Sequence, residues 1–219
     1  MIDSAALGAR PGWRASPVLL SRLLAGLALF GAGEGLLIGS RLGNSPWSVL
    51  GQGVARHTPL SVGVATIAIS FVVLLAWIPL GQRPGLGTVL NAALIGVFLD
   101  LVLGALPSRM APGVRAGLVI LGIACVAAGS GLYLRTGLGP GPRDGLMAGL
   151  HRLTGRPVRA VRAGIELAVV GLGFALGGTV GVGTVAFALT IGLAVQLALG
   201  VGRRPTMSGH GRRDRIRPR

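Results

Sequence analysis

Two acidic side chains, Glu34 and Asp100, stand within apolar stretches, where a charged group is costly. An acid inside a membrane span costs free energy unless it is paired, protonated or hydrated, and such acids mark ion and substrate pathways. Each lies six residues before the expected end of its stretch, so we expect the two carboxyl groups at similar depth. We predict that both line a transport path.

Packing is the alternative role for these acids. In this interpretation one or both carboxyl groups are protonated or hydrogen-bonded and only fix the helices, with Arg41 neutralising one of them. A third acid, Glu166, follows Arg162 by four residues, so an intrahelical ion pair explains it economically.

Asp100 also shares a helix face with two glycines. Gly96 and Gly104 lie four residues on either side of it, and small residues at this spacing admit a neighbouring helix closely. A later stretch repeats the spacing with glycines on either side of Gln196. We therefore add Gln196 to the expected path, while the glycines themselves fit close packing within the chain or in a homodimer.

Two glycine-proline turns carry further candidate groups. Pro46 and Pro142 suit the first turn of a helix, which has no amide hydrogen to lose, so a short helix should begin at each. After Pro142, Asp144 favours a helix start through the macrodipole, and Arg143 is free to reach lipid headgroups or a ligand. We interpret both turns as candidate gating or ligand-binding segments.

Interfacial anchoring is the alternative for the same turns. Trp47 stands where the other turn has Arg143, and aromatic residues are enriched at membrane surfaces. Trp77 and Tyr133, near the ends of their stretches, are expected at the interface for the same reason.

Gly-Leu-Gly-Thr and Gly-Val-Gly-Thr turns precede two apolar stretches and place backbone amides at helix starts, which attract anions. Gly87, Thr88, Gly183 and Thr184 are therefore further candidates for gating or ligand binding. Alternatively, the glycines only make a tight reversal into the next span. The Lys-Ser/Thr ending of a phosphate-binding loop does not follow either turn, which argues against nucleotide binding.

The composition favours a membrane protein and disfavours an enzyme. The chain is 51% hydrophobic and only 12% charged, with a mean hydropathy of +0.73. Its three histidines lie outside the apolar stretches without metal-ligand spacing, and no nucleophile and base are paired. We expect no catalytic residues, no metal and no cofactor. The net charge of +15 does not indicate nucleic-acid binding, because aromatic residues are not interleaved with the basic tail.

The apolar stretches predict an all-α, polytopic transmembrane helical bundle of about six spans. The expected spans are roughly 18–40, 60–80, 86–106, 115–136, 163–178 and 182–201. We divide the chain into an amino-terminal cytoplasmic segment (1–17), a first membrane repeat (18–106), a linker (107–114), a second repeat (115–201) and a basic tail expected to be disordered (202–219).

The division into repeats follows from self-similarity. Residues 26–104 align with residues 122–200 at a constant offset of 96 and without a gap. Three spans per repeat is an odd number, so the second repeat should enter the membrane from the opposite side. Inverted repeats are a recurring architecture of secondary transporters.

The arginines set the expected orientation. With a cytoplasmic amino terminus, 17 of the 21 basic residues face inward, as the positive-inside rule requires. We therefore expect a multi-pass protein of the bacterial plasma membrane with both termini in the cytoplasm. The basic inner loop and tail are expected to touch anionic lipid.

The turn motifs resemble those of the YczE/YyaS/YitT family of bacterial integral membrane proteins. The match rests on Leu-Gly-x-Ser-Pro-Trp at 42–47, on the Gly-Gln-Arg-Pro-Gly-x-Gly-Thr run from 81 with Asn91 and Asp100, and on residues 139–147. It covers about residues 20–200. The resemblance implies a multi-span plasma-membrane protein of unknown activity and supplies no binding residues.

From the residues themselves we expect a permease or exporter of a small solute, with Glu34, Asp100 and Gln196 on its path. The alternative is a membrane scaffold that does not transport and instead holds a partner through its basic loop and tail.

Overall fold

The computed structural model describes residues 12–200, which form eight α-helices and no strand within that range. The helices are α1 (Pro17–Ser40), α2 (Pro46–Arg56), α3 (Val62–Leu75), α4 (Leu86–Ala105), α5 (Pro112–Leu134), α6 (Pro142–Thr154), α7 (Val158–Ala175) and α8 (Val182–Gly200). The all-α prediction is confirmed. Residues 1–11 and 201–219, including the basic tail, lie outside the described residues.

Four of these helices are long and apolar enough to cross a membrane: α1, α4, α5 and α8. The expected span at 60–80 contains only α3, whose 14 residues cover about 21 Å. The chain turns after it, through Pro79, which has no amide hydrogen, and Gly81, which has a φ of 62°. The expected span at 163–178 begins earlier, at Val158, so that α7 takes in Arg159 and Arg162.

Helices α1 and α5 form the centre of the bundle, and glycines bring their backbones together. A Cβ atom on Gly33 would lie 2.6 Å from the Gly122 carbonyl oxygen, and one on Gly26 would lie 3.0 Å from the Gly129 carbonyl oxygen. Because the earlier glycine of α1 meets the later glycine of α5, the two helices run antiparallel.

The short helices α2 and α6 begin at Pro46 and Pro142, as predicted. Neither has a side-chain cap at its start. Helix α2 packs on α7, and α6 packs on α3. The expectation for Trp77 was wrong: it is 2% exposed, covers Gly145 of α6 and donates its indole hydrogen to the Pro142 carbonyl oxygen at 2.9 Å. Gly145 leaves the space that this ring fills.

Candidate functional site

The carboxyl group of Glu34 is buried inside the bundle at the start of α2. Glu34 is 1% exposed, and its Oε2 accepts hydrogen bonds from the hydroxyls of Ser45 and Ser48, each at 2.6 Å. Its other oxygen, Oε1, is buried and accepts no hydrogen bond. Helix α2 therefore begins at the depth of Glu34, which lies six residues before the end of α1.

Arg143 brings the start of α6 to the same carboxyl group. Its Nη1 lies 3.9 Å from Glu34 Oε1, and its side chain is 20% exposed. Within the described residues, no hydrogen bond is found for its guanidinium. The sequence left open whether Arg41 neutralises a buried acid, and the structure gives Glu34 another partner: Arg41 is an exposed residue that ends α1 in a left-handed conformation (φ 55°).

Trp47 forms one wall of the site. The guanidinium carbon of Arg143 lies 5.2 Å from the centroid of the Trp47 ring, within the range of a cation–π contact. Trp47 is 6% exposed, and its buried Nε1 has no hydrogen-bond partner. The prediction of an interfacial Trp47 was therefore wrong, because the ring packs inside the protein.

Asp144 and Tyr133 complete the polar cluster. Tyr133, also expected at the interface, is 3% exposed, and its hydroxyl donates to Asp144 Oδ2 at 2.8 Å. Asp144 lies in the first turn of α6, as the sequence indicated. A Cβ atom on Gly141 would lie 3.3 Å from Asp144 Oδ2 and 3.2 Å from Asn91 Nδ2, so both side chains border this helix start.

Asp100 follows Leu99, whose carbonyl oxygen packs against Gly35 beside Glu34, but its carboxylate makes a different contact. Its Oδ2 accepts from the Ser61 hydroxyl at 2.5 Å, and its Oδ1 accepts from the Gly63 amide at 2.7 Å. Both groups belong to the first turn of α3, so the carboxylate satisfies a helix start. Asp100 faces α3, whereas Glu34 faces the starts of α2 and α6.

The remaining expected path residue, Gln196, lies on an exposed face of α8. A Cβ atom on either of its flanking glycines, Gly192 and Gly200, would meet nothing within 4 Å. The structure does not bring Gln196 to the Glu34 cluster. The ion pair expected for Glu166 is confirmed, since Arg162 Nε lies 2.8 Å from its Oε1.

Backbone amides of the Gly-x-Gly-Thr turns donate hydrogen bonds to other parts of the protein. The Gly87 amide donates to the Leu138 carbonyl oxygen at 2.9 Å, and the Gly183 amide donates to the Leu42 carbonyl oxygen at 2.8 Å. These amides point at neighbouring turns, so they are not open to an anion in this structure.

The threonines of the same turns are buried. Thr88 donates from Oγ1 to the Pro140 carbonyl oxygen at 2.8 Å, and Thr184 Oγ1 accepts from the Gly181 amide at 3.3 Å. Both side chains hold the turn against the protein, as the tight-reversal interpretation expects.

The sequence did not single out Ser45, Ser48 or Tyr133 as members of the site. Ser45 and Ser48 lie three residues apart at the start of a helix that begins with proline, a spacing that places both hydroxyls on one side. That signal was present in the chain, but only the fold brings Glu34 to it.

Comparisons with known proteins found a family model and several relatives. Residues 19–199 match the sequence model of a family described as a family of unknown function, DUF6198. An uncharacterized protein of Haemophilus influenzae is 42% identical over 189 residues, which cover 86% of this chain and 87% of the relative. No solved structure matches the chain.

Two Bacillus subtilis relatives carry the family names expected from the turn motifs. The uncharacterized membrane protein YczE is 36% identical over 178 residues, covering 80% of this chain and 82% of the relative. The uncharacterized protein YyaS is 26% identical over 191 residues, covering 85% of this chain and 95% of the relative. The resemblance is therefore confirmed.

Proposed function

The chain belongs to the family DUF6198 and is similar to the membrane protein YczE, and we propose that it moves a small solute across the bilayer as a permease or exporter. The observation that carries this proposal is the Glu34–Arg143 pair, which lies where two short helices begin inside the bundle. Helix starts within the membrane are a common device for binding solutes in secondary transporters.

Energetics favour a functional role over a packing role for this pair. Removing charges from water is costly, and a buried ion pair recovers that cost only with good geometry and additional hydrogen bonds. Here the ion pair is 3.9 Å long, and Glu34 Oε1 and Trp47 Nε1 have no hydrogen-bond partner. A cluster that served only packing gains nothing from these unpaired atoms.

An inverted repeat is the arrangement that we propose for this path. Two hydrogen bonds between the repeats are equivalent: Gly87 bonds to Leu138, and Gly183 bonds to Leu42. Gly183 lies 96 residues after Gly87, and Leu138 lies 96 residues after Leu42. The antiparallel packing of α1 on α5 supports opposite orientations of the two repeats.

The remaining parts of the proposal concern location. We propose a multi-pass protein of the plasma membrane with both termini in the cytoplasm, supported by the distribution of arginines. The exposed apolar side chains of α8, among them Leu189, Leu193 and Leu197, are suited to contact with lipid.

Flux measured in proteoliposomes tests the proposal. We expect the purified protein to speed the entry of small polar solutes, scored by light scattering during osmotic swelling, above the rate of empty liposomes. Glu34→Gln should remove this flux. Glu166→Gln is the matched control, because it removes the carboxylate of a more exposed ion pair on α7 and should retain the flux. No flux above that of empty liposomes, across solutes of each charge, would contradict the proposal.

The scaffold alternative rests on the basic inner loop and on the basic tail, residues 203–219. The tail lies outside the described residues. A permease should keep its flux when residues 203–219 are deleted.

A further inference from the structure

Three arginines line one pocket at the end of the bundle where α1 and α4 end and α5 begins. Arg41, Arg109 and Arg115 border an open space of about 220 Å³, together with Ser108 and Met110. A cavity of about 150 Å³ is large enough to bind benzene. This pocket therefore has room for a small polyatomic ion.

The positive charge of the pocket is not balanced by a neighbouring acid. Both ion pairs found within residues 12–200 lie elsewhere, one at Glu34 and the other at Glu166. Like charges that gather in one place repel one another, and an anion between them relieves that repulsion. The pocket therefore favours a negatively charged occupant.

Arg115 is held in place by the end of α1. Its Nε donates to the Ser40 carbonyl oxygen at 2.6 Å, and its Nη2 donates to the Arg41 carbonyl oxygen at 3.0 Å. Its Nη1 makes no hydrogen bond in the described part of the chain. A guanidinium oriented in this way loses little further rotamer freedom when its remaining N–H groups bind a ligand.

Arg41 occupies a backbone position that favours glycine. It ends α1 in the left-handed conformation, and among residues 12–200 it is the only residue other than glycine with a positive φ, 55°. Helix ends of this kind usually carry glycine, because a Cβ atom is disfavoured there. The turn alone does not account for an arginine at this position, whereas a role for its side chain in the pocket does.

Three of the four arginines expected outside the cytoplasm gather in this pocket. The proposed orientation places Arg41, Arg56, Arg109 and Arg115 outside, although basic residues are normally concentrated on the cytoplasmic side. The basic inner loop begins at Arg135, after the opposite end of α5. The pocket is therefore not part of the surface that we expect to touch anionic lipid.

We propose that this pocket binds a phosphate group, either that of an anionic phospholipid headgroup or free phosphate. Guanidinium groups donate paired hydrogen bonds to phosphate oxygens, and three of them offer more donors than the two oxygens of a carboxylate use. Helix α5 begins at Pro112 beside the pocket without a side-chain cap, and such a helix start attracts anions. The pocket uses no residue of the Glu34–Arg143 cluster, so this inference does not depend on the permease.

Two binding measurements on the purified full-length protein distinguish the two sources. Both use a maltoside detergent, which carries no phosphate. Inorganic phosphate and acetate are titrated by calorimetry, and phosphatidylglycerol is compared with phosphatidylcholine by native mass spectrometry. Binding of inorganic phosphate at least about tenfold tighter than that of acetate assigns free phosphate, and preferential retention of phosphatidylglycerol assigns the headgroup. Neither result, or acetate binding as tightly as phosphate, would overturn the inference.

A substitution in the pocket connects binding to these arginines. Arg109→Gln should weaken binding of phosphate or phosphatidylglycerol about tenfold, because charge-assisted hydrogen bonds are lost. Arg56→Gln is the matched control: it removes the same charge from an exposed arginine at the end of α2, outside the pocket, and should keep the affinity. Unchanged binding in Arg109→Gln, or equal weakening in both variants, would overturn the inference.

Arg41→Gly separates binding from stability. Glycine adopts a φ of 55° without strain and keeps the carbonyl oxygen that orients Arg115, so the melting temperature should stay equal or rise. Affinity for the phosphate group should nevertheless fall about tenfold, because one guanidinium is lost. Undiminished affinity in this variant would overturn the pocket as proposed.

Discussion

The guanidinium carbon of Arg143 lies 5.2 Å from the centroid of the Trp47 ring, and each residue directly follows the proline that begins its short helix. The starts of α2 and α6 therefore meet, and a cation–π contact joins them. Such a contact contributes about 0.5–2 kcal/mol depending on its burial. Glu34 and Arg143 lie together at this meeting point.

Loss of the Arg143 charge should destabilise the protein. In Arg143→Gln the buried Glu34 carboxylate loses its counter-charge, so we expect a loss of about 3 kcal/mol in the free energy of unfolding. Thermal or denaturant unfolding in detergent measures it.

Adding Glu34→Gln to Arg143→Gln should recover part of that loss, because both charges are then absent. Strictly additive effects of the two substitutions would show that the charges do not interact.

The contact between α1 and α5 should tolerate no added methyl group. A Cβ atom on Gly33 would lie 2.6 Å from the Gly122 carbonyl oxygen, so Gly33→Ala should cost about 1–3 kcal/mol of stability. Gly117→Ala on α5 is the control: its Cβ would meet nothing within 4 Å, so stability should stay equal or rise. The melting temperatures of the two variants, measured under the same conditions, test this prediction. An equal fall in melting temperature in both variants would contradict the close packing of α1 on α5.

We expect Asp100 to stabilise the start of α3 and to take no direct part in transport. Asp100→Asn keeps one acceptor but weakens the bonds from Ser61 and Gly63, so we expect a loss of about 1 kcal/mol. Flux should then fall only in proportion to the amount of folded protein. If flux disappears at an unchanged protein level, Asp100 belongs to the path after all.

Gln196 provides a contrasting test on α8. Because the residue lies on an exposed face, Gln196→Leu should leave flux per folded molecule unchanged. A loss of flux in this variant at a normal protein level would return Gln196 to the path.

Local signals predicted the helix starts, while long-range packing decided the site. The positions of Pro46 and Pro142 were sufficient to predict where α2 and α6 begin, because proline restricts the first turn. The direction of Arg143 was not predictable, since its long side chain reaches either lipid or the interior. Its partner Glu34 comes from a distant part of the chain.

The exposed face of Gln196 has a similar explanation. Helical spacing placed Asp100 and Gln196 on equivalent faces of α4 and α8, but a face is buried only when a neighbour covers it. On α4 the neighbour is Gly63 of α3, whose small size admits Gly96. The residue 96 positions after Gly63 is Arg159, which cannot approach a helix so closely.

Aromatic residues near the ends of apolar stretches fit an interface and a core equally well. Trp77 is buried because Gly145 of α6 leaves space for its ring, and that space depends on the packing of α6 on α3. Composition carries no information about this contact.

Labelling of equivalent positions with a membrane-impermeant thiol reagent tests the inverted arrangement most directly. Thr58 and Thr154 are 96 residues apart and both exposed, so Thr58→Cys and Thr154→Cys can be compared in a Cys125→Ala background, in intact cells and inverted vesicles. The inverted arrangement predicts labelling from opposite sides of the membrane. Labelling of both cysteines from the same side would contradict it, and with it the path proposed between α2 and α6.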